Sequence, residues 1–252
     1  MHEAFFFGPG DRQLFGSYHP PVHGNGQVLT VLCPPLFLDH TRTQLILRRV
    51  ATCLAEKGQH VLRFDYRGTG DSFADLEDVV VSDWIADIEL AVQEGRAASG
   101  SRKVRLLGVR AGALVAARFA SASADVDRLV LWDPVRDGAA YLEELRGVQT
   151  TLLERHPRLR RPERSEAIRE CAGYRISERL LGDFGGLSAR AYSGVPRDKV
   201  RIVSTSSDKR LPIEAVSHDV VQVACQWGTD VEDLIMPQPE LLDRLISGLT
   251  AP

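Results

Sequence analysis

Long apolar runs are missing from this 252-residue chain. No stretch approaches the ~20 residues needed to cross a bilayer, so a membrane span is not expected. The N-terminus, Met1-His2-Glu3-Ala4-Phe5-Phe6-Phe7-Gly8, has no cationic segment and does not read as a signal peptide. Cysteine is scarce: Cys33, Cys53, Cys171 and Cys225 form no CxxC pair, and none has a histidine at zinc-ligand spacing. Reduced thiols in a cytoplasmic protein are the expectation. An excess of one charge is missing too. Lys plus Arg is 31 and Asp plus Glu is 34, without the basic surplus of a nucleic-acid binder. Gly8-Pro9-Gly10, Gly24-Asn25-Gly26 and Gly68-Thr69-Gly70 each lack the third glycine of a dinucleotide fingerprint, and there is no P-loop. No NAD, ATP or metal is expected as cofactor.

What remains is ordinary globular composition, with 44% hydrophobic and 26% charged residues. A chain of this length should bury roughly 70–75% of its unfolded surface without help from a disulfide or metal. Length alone allows one domain with an insertion or two small ones.

Strands and helices alternate along the chain. Residues 5–7 and 13–18 read as a hairpin around Gly8-Pro9-Gly10-Asp11. The apolar runs 28–33, 60–64, 103–107, 128–132, 200–204 and 220–224 read as strands covered on both faces. Helical periodicity covers 42–57, with Leu45, Leu47, Val50, Cys53 and Leu54 inward, a helix from Ser82, residues 111–121 and 239–249. That alternation implies an α/β fold with a parallel sheet. Residues 137–196 break the rhythm. They predict helices over 139–155, 165–172 and 177–184 and no strand, which suggests a helical cap over the strand ends, where ligands of such folds sit.

The most informative segment is Leu106-Leu107-Gly108-Val109-Arg110-Ala111-Gly112-Ala113. A strand ends, a Gly-x-x-x-Gly pair follows, and a small-residue helix begins. That is the setting of a Gly-x-Ser-x-Gly nucleophile elbow. Asp65-Tyr66-Arg67-Gly68-Thr69-Gly70-Asp71-Ser72, Cys33-Pro34-Pro35-Leu36 and Ser207-Asp208-Lys209-Arg210-Leu211-Pro212 each follow a predicted strand. With these motifs the chain resembles the α/β-hydrolase superfamily over nearly its whole length. It is similar in particular to the exosortase A system-associated hydrolases, through Ser17-Tyr18-His19-Pro20-Pro21, Gly108 to Leu114, Gly173-Tyr174-Arg175-Ile176-Ser177 and Trp227 to Glu232. The resemblance implies an α/β-hydrolase fold, with a mostly parallel central sheet flanked by helices. The core would be 1–136 and 197–252, and the cap 137–196. It also implies an oxyanion loop after Cys33, old oxyanion donors at Ala111 and near Leu36, and a triad acid at Asp208. Its genomic context points to exopolysaccharide export or a similar biosynthetic cluster.

The departures bear on chemistry. A serine triad needs a nucleophile, a base and an acid that orients the base. The nucleophile position holds Arg110, which stays protonated and cannot attack a carbonyl. No histidine follows His218, so the base is missing from its usual place. A conventional serine esterase is the least supported reading. Arg110 at a helix N-terminus offers donors suited to a carboxylate or phosphate. It equally fits a buried ion pair, with Asp133 or Asp208 as partner.

Asp39-His40 lies at the expected site mouth. His40 is a candidate displaced base, against a plainer role capping the following helix. Cys33 and Ser72 are candidates for a relocated nucleophile, against a buried apolar thiol and a turn serine. Trp227 is a candidate pocket wall or a core residue. Arg155, Arg158, Arg160, Arg161 and Arg164 read as a solvated face, with an acidic acyl carrier protein as the alternative partner. Three readings follow: an enzyme acting on a small anionic or acyl substrate, a silent binding or accessory protein, and an ester or thioester hydrolase with a relocated nucleophile.

Overall fold

A computed structural model describes residues 2–24, 26–159, 168–205, 213, 215, 217–223, 225, 227 and 234–251. Eight strands form one sheet in the order β1-β2-β4-β3-β5-β6-β9-β10. They are β1 (Glu3–Phe7), β2 (Leu14–His19), β3 (Val28–Cys33), β4 (His60–Phe64), β5 (Lys103–Val109), β6 (Val126–Trp132), β9 (Val200–Ser204) and β10 (Ser217–Val220). β2 pairs antiparallel with β1 on one side and β4 on the other, and the six strands β4-β3-β5-β6-β9-β10 are mutually parallel. This is the α/β-hydrolase architecture that the motifs imply.

The strands carry apolar side chains on both faces because helices cover both. On one face, Leu106, Leu131 and Ile202 pack with Trp84 of α2 (Val81–Ser99) and Leu114 of α3 (Ala111–Ala122). On the other, Leu107, Val130 and Val203 pack with Val50 of α1 (Leu38–Glu56) and Leu245 of α7 (Pro239–Thr250). Arg128 fastens α7 by donating to the carbonyls of Gly248 and Ala251, at 3.2 and 2.6 Å. These bonds satisfy carbonyls that a helix end leaves without partners.

Between β6 and β9 the chain leaves the sheet. It forms α4 (Gly138–Arg155), β7 (Ile168–Cys171), β8 (Tyr174–Ser177), α5 (Glu178–Gly185) and α6 (Arg190–Ser193). The all-helical expectation for this segment is corrected here. Residues 168–171 pair antiparallel with β8 through a turn at Ala172 (φ 50°) and Gly173 (φ 86°). Three further details differ from the sequence reading. Helix α1 starts at Leu38 rather than residue 42, Leu45 is 41% exposed rather than inward, and β10 spans 217–220 rather than 220–224.

An aromatic cluster seats this segment on the core. Phe37, in the turn before α1, packs against Tyr141 of α4 and Phe184 of α5, at 6.2 and 6.1 Å between ring centroids. Gly138 passes so close to Phe184 that a Cβ there would lie 1.7 Å from its carbonyl oxygen. The sheet's order reverses direction between β3 and β5, and their carboxyl ends, at Cys33 and Val109, position the site.

Candidate functional site

Arg110 occupies the elbow between β5 and α3, with φ 50° and ψ −123°. Such a conformation costs a non-glycine residue roughly 1–3 kcal/mol and marks the nucleophile position of this architecture. Both flanking glycines are required by space. A Cβ on Gly112 would lie 2.0 Å from the Pro34 carbonyl oxygen, and one on Gly108 would lie 2.8 Å from Ala113 Cα. Phe37, on the facing loop, has nearly the same backbone geometry, φ 53° and ψ −133°.

The side chain of Arg110 is 1% exposed. Its Nε donates to Asp39 Oδ2 at 3.2 Å, and its Nη2 donates to Glu144 Oε1. The guanidinium carbon lies 4.9 Å from the Trp227 ring centre and 5.6 Å from that of Tyr141. The Tyr141 hydroxyl donates to Asp39 Oδ2 at 3.0 Å and to the Leu36 carbonyl at 3.1 Å. Burial disfavours the charge on Arg110, but Asp39 and Glu144 outweigh it and hold the guanidinium pKa above its ordinary value. Burial pushes Asp39 up, against the pull of Arg110 and the Tyr141 hydroxyl. Arg110 is therefore a permanently charged, fully packed group with its charge already answered.

This pairing corrects one sequence expectation. Asp133, at φ 41°, accepts from Thr205 N at 2.8 Å, from Thr205 Oγ1, and from Trp227 Nε1 at 2.7 Å; it does not pair with Arg110. Asp208 lies outside the described residues. Trp227 thus walls the Arg110 side chain while Asp133 holds its indole. Leu36 and Ala111 are both buried beside the elbow. Sequence reasoning missed Tyr141 and Glu144. Their three-residue spacing on α4 puts both on one helix face, a signal without meaning until that face is known.

The relocated-nucleophile candidates are placed as follows. Cys33 is fully buried, and burial pushes its thiol up to about 12, so it keeps its proton at neutral pH. Ser72 Oγ donates to the Asp65 carbonyl at 2.6 Å and accepts from Phe15 N at 2.9 Å, a turn role. His40 is not a loop residue but sits in the first turn of α1. Its Nε2 lies 3.0 Å from Asp65 Oδ1 and 3.0 Å from Gln44 Nε2. This is the geometry of a base with its orienting acid, yet among the described residues neither partner of its Nε2 is a hydroxyl or thiol.

Two serine–histidine contacts occur among the described residues. Ser17 Oγ lies 3.4 Å from His19 Nε2, and Ser204 Oγ lies 2.8 Å from His218 Nε2. Neither histidine has a carboxylate partner among the described residues, and both serines lie on plain strands rather than at an elbow. Arg155, the last residue of α4, and Arg158, just after that helix, are exposed, and Arg160, Arg161 and Arg164 lie outside the described residues. Among the described residues, no helix is long and apolar enough to cross a membrane.

The fold and the strained elbow define an α/β hydrolase in architecture. The family described as serine aminopeptidase, S33, matches residues 42–234, and the chain belongs to it. Among solved structures, a putative hydrolase from Agrobacterium vitis S4 is 21% identical, with 100% of this chain and 98% of that chain covered and a TM-score of 0.63. Est1E from Butyrivibrio proteoclasticus, solved with ferulic acid bound, is 20% identical over 86% of this chain and 88% of its own, with a TM-score of 0.63. The α/β hydrolase GrgF from Penicillium sp. sh18 is 15% identical over 88% and 89%, with a TM-score of 0.62. At these identities the likeness concerns the fold. No curated protein matches the chain.

Proposed function

We propose that this chain is a non-hydrolytic member of its family, which keeps the fold to bind a small anionic or acyl ligand. One observation carries the reading. The position from which a hydroxyl would attack holds Arg110, buried and ion-paired to Asp39 and Glu144 under the cap helix. A guanidinium has no lone pair to offer an acyl carbon, and it fills the space an acyl group would occupy. Removing nucleophile and base together costs several orders of magnitude in rate. Cys33 and Ser72 do not replace them, for the reasons of protonation and hydrogen bonding given above.

The motif likeness to exosortase A system-associated hydrolases supports a place in an exopolysaccharide or similar biosynthetic cluster. Genomic neighbours of that kind are the corresponding check. The activity test uses a fluorophosphonate serine-hydrolase probe together with p-nitrophenyl esters. The expected result is no labelling and no turnover above buffer. Turnover abolished by Cys33→Ala or Ser72→Ala overturns the reading in favour of a relocated nucleophile.

A further inference from the structure

A cavity of about 510 Å³ is lined by residues of β2, β4 and α1 and by Pro34 and Phe37, and Arg110 does not line it. Its volume is within the usual range for small-molecule sites. Its apolar lining includes Phe15, Phe37, Leu76 and Tyr174. Its polar lining includes Arg63, Ser17, Gln44 and His40, together with the carboxylates of Asp65 and Asp71. Arg63 and Ser17 are register partners on the antiparallel pair β4 and β2. Side chains at such positions project side by side from one face.

Arg63 is the decisive group. It is half-buried, and its guanidinium Nη2 donates to the neutral Gln44 Oε1 at 2.9 Å. Among the described residues it makes no ion pair. Asp65 attracts it without forming an ion pair, and the Asp65 oxygens are engaged elsewhere, Oδ1 with His40 at 3.0 Å and Oδ2 with Asp71 N at 3.2 Å. Burial, then Arg48, depress the Arg63 pKa, with Asp65 pulling the other way. Neighbouring His19 is pushed down to about 4, first by burial and then by the positive charges of Arg63, His2 and Arg48. A half-buried guanidinium that makes no ion pair among the described residues keeps donors for an anion, whereas Arg110 is paired to two carboxylates.

We propose that this cavity is the ligand site, and that it takes a small monocarboxylate with an apolar body. The carboxylate meets the Arg63 guanidinium and the Ser17 hydroxyl, and the apolar body lies against Phe37, Leu76 and Tyr174. The proposal rests on the reading that the chain binds a small ligand. It stands apart from the hydrolysis question, which the probe assay answers on its own.

The test is calorimetric titration of the full chain with benzoate, phenylacetate and octanoate, each beside its neutral amide. Wild type should bind at least one acid about tenfold more tightly than its amide, as one charge-assisted contact provides. Arg63→Gln should abolish that preference. Thr41→Trp, at an exposed α1 position on the cavity's lip, should abolish binding of acid and amide alike while leaving the melting temperature near wild type. Equal binding of acids and amides overturns the ligand class. Acid binding unchanged in Thr41→Trp overturns the location. No binding of any acid by wild type overturns the proposal, while an unlabelled serine probe leaves the non-hydrolytic reading standing.

Discussion

Arg110 Nε and Asp39 Oδ2 meet at 3.2 Å across 71 residues of sequence. The contact joins the elbow after β5 to the first turn of α1, and Glu144 extends it into the cap. Arg110→Met removes the cation but leaves Asp39 buried and facing Glu144. Removing one partner of a buried pair typically costs about 3–5 kcal/mol. Urea denaturation should show a loss of that order, and a variant as stable as wild type would show that the pair contributes nothing.

Arg110→Ser restores a hydroxyl at the elbow without restoring a base. The chain has seven histidines, and none follows His218. Ester turnover by this variant should stay at the buffer rate. Measurable burst kinetics with p-nitrophenyl acetate would reveal a base nearby.

Tyr141→Phe takes one donor from both Asp39 and the Leu36 carbonyl. Each acceptor is buried, so a loss of about 1–3 kcal/mol is expected. The cap should loosen with it, since Tyr174, through its bond to the Phe37 carbonyl at 3.1 Å, is the other tyrosine holding this loop. Limited proteolysis within residues 137–196 should accelerate in the variant.

His19 gives the fold a signed pH dependence. Its folded pKa is about 4 against 6.5 for a free imidazole. Between those values the unfolded chain binds a proton that the folded chain does not, so stability falls as pH drops from 6.5 toward 4. His19→Gln should flatten the decline of melting temperature across that window, at about 2–4 °C for each kcal/mol removed. Parallel melting curves for both proteins would rule His19 out as the source.

The sheet was legible where side chains are apolar on both faces. Strands β3, β4 and β9 span the residues predicted, because their short, mostly apolar and β-branched runs suit a strand packed on both faces and are too brief for a helix. The hairpin β7–β8 was not legible. Two successive residues of positive φ usually announce themselves as Asn-Gly or Asp-Gly, but here they are Ala172 and Gly173. The elbow was found from its glycines, whereas its ion-pair partners depend on which face of α4 turns inward. The strand His60–Phe64 reads as a buried run, and nothing in that pattern shows that Arg63 borders a cavity and makes no ion pair among the described residues.

The cluster around Arg110 also bears on how readily the chain could change trade. A single substitution to serine strands two carboxylates beside the new hydroxyl, and both would repel the oxyanion of an acyl intermediate. On the proposed reading, ester chemistry at the elbow would require Asp39, Glu144 and a distant histidine position to change together. On the non-hydrolytic reading proposed above, each step taken alone yields a less stable protein without ester turnover. The ion pair therefore works as a latch on the chain's mutational history, closed by one residue and opened only by several.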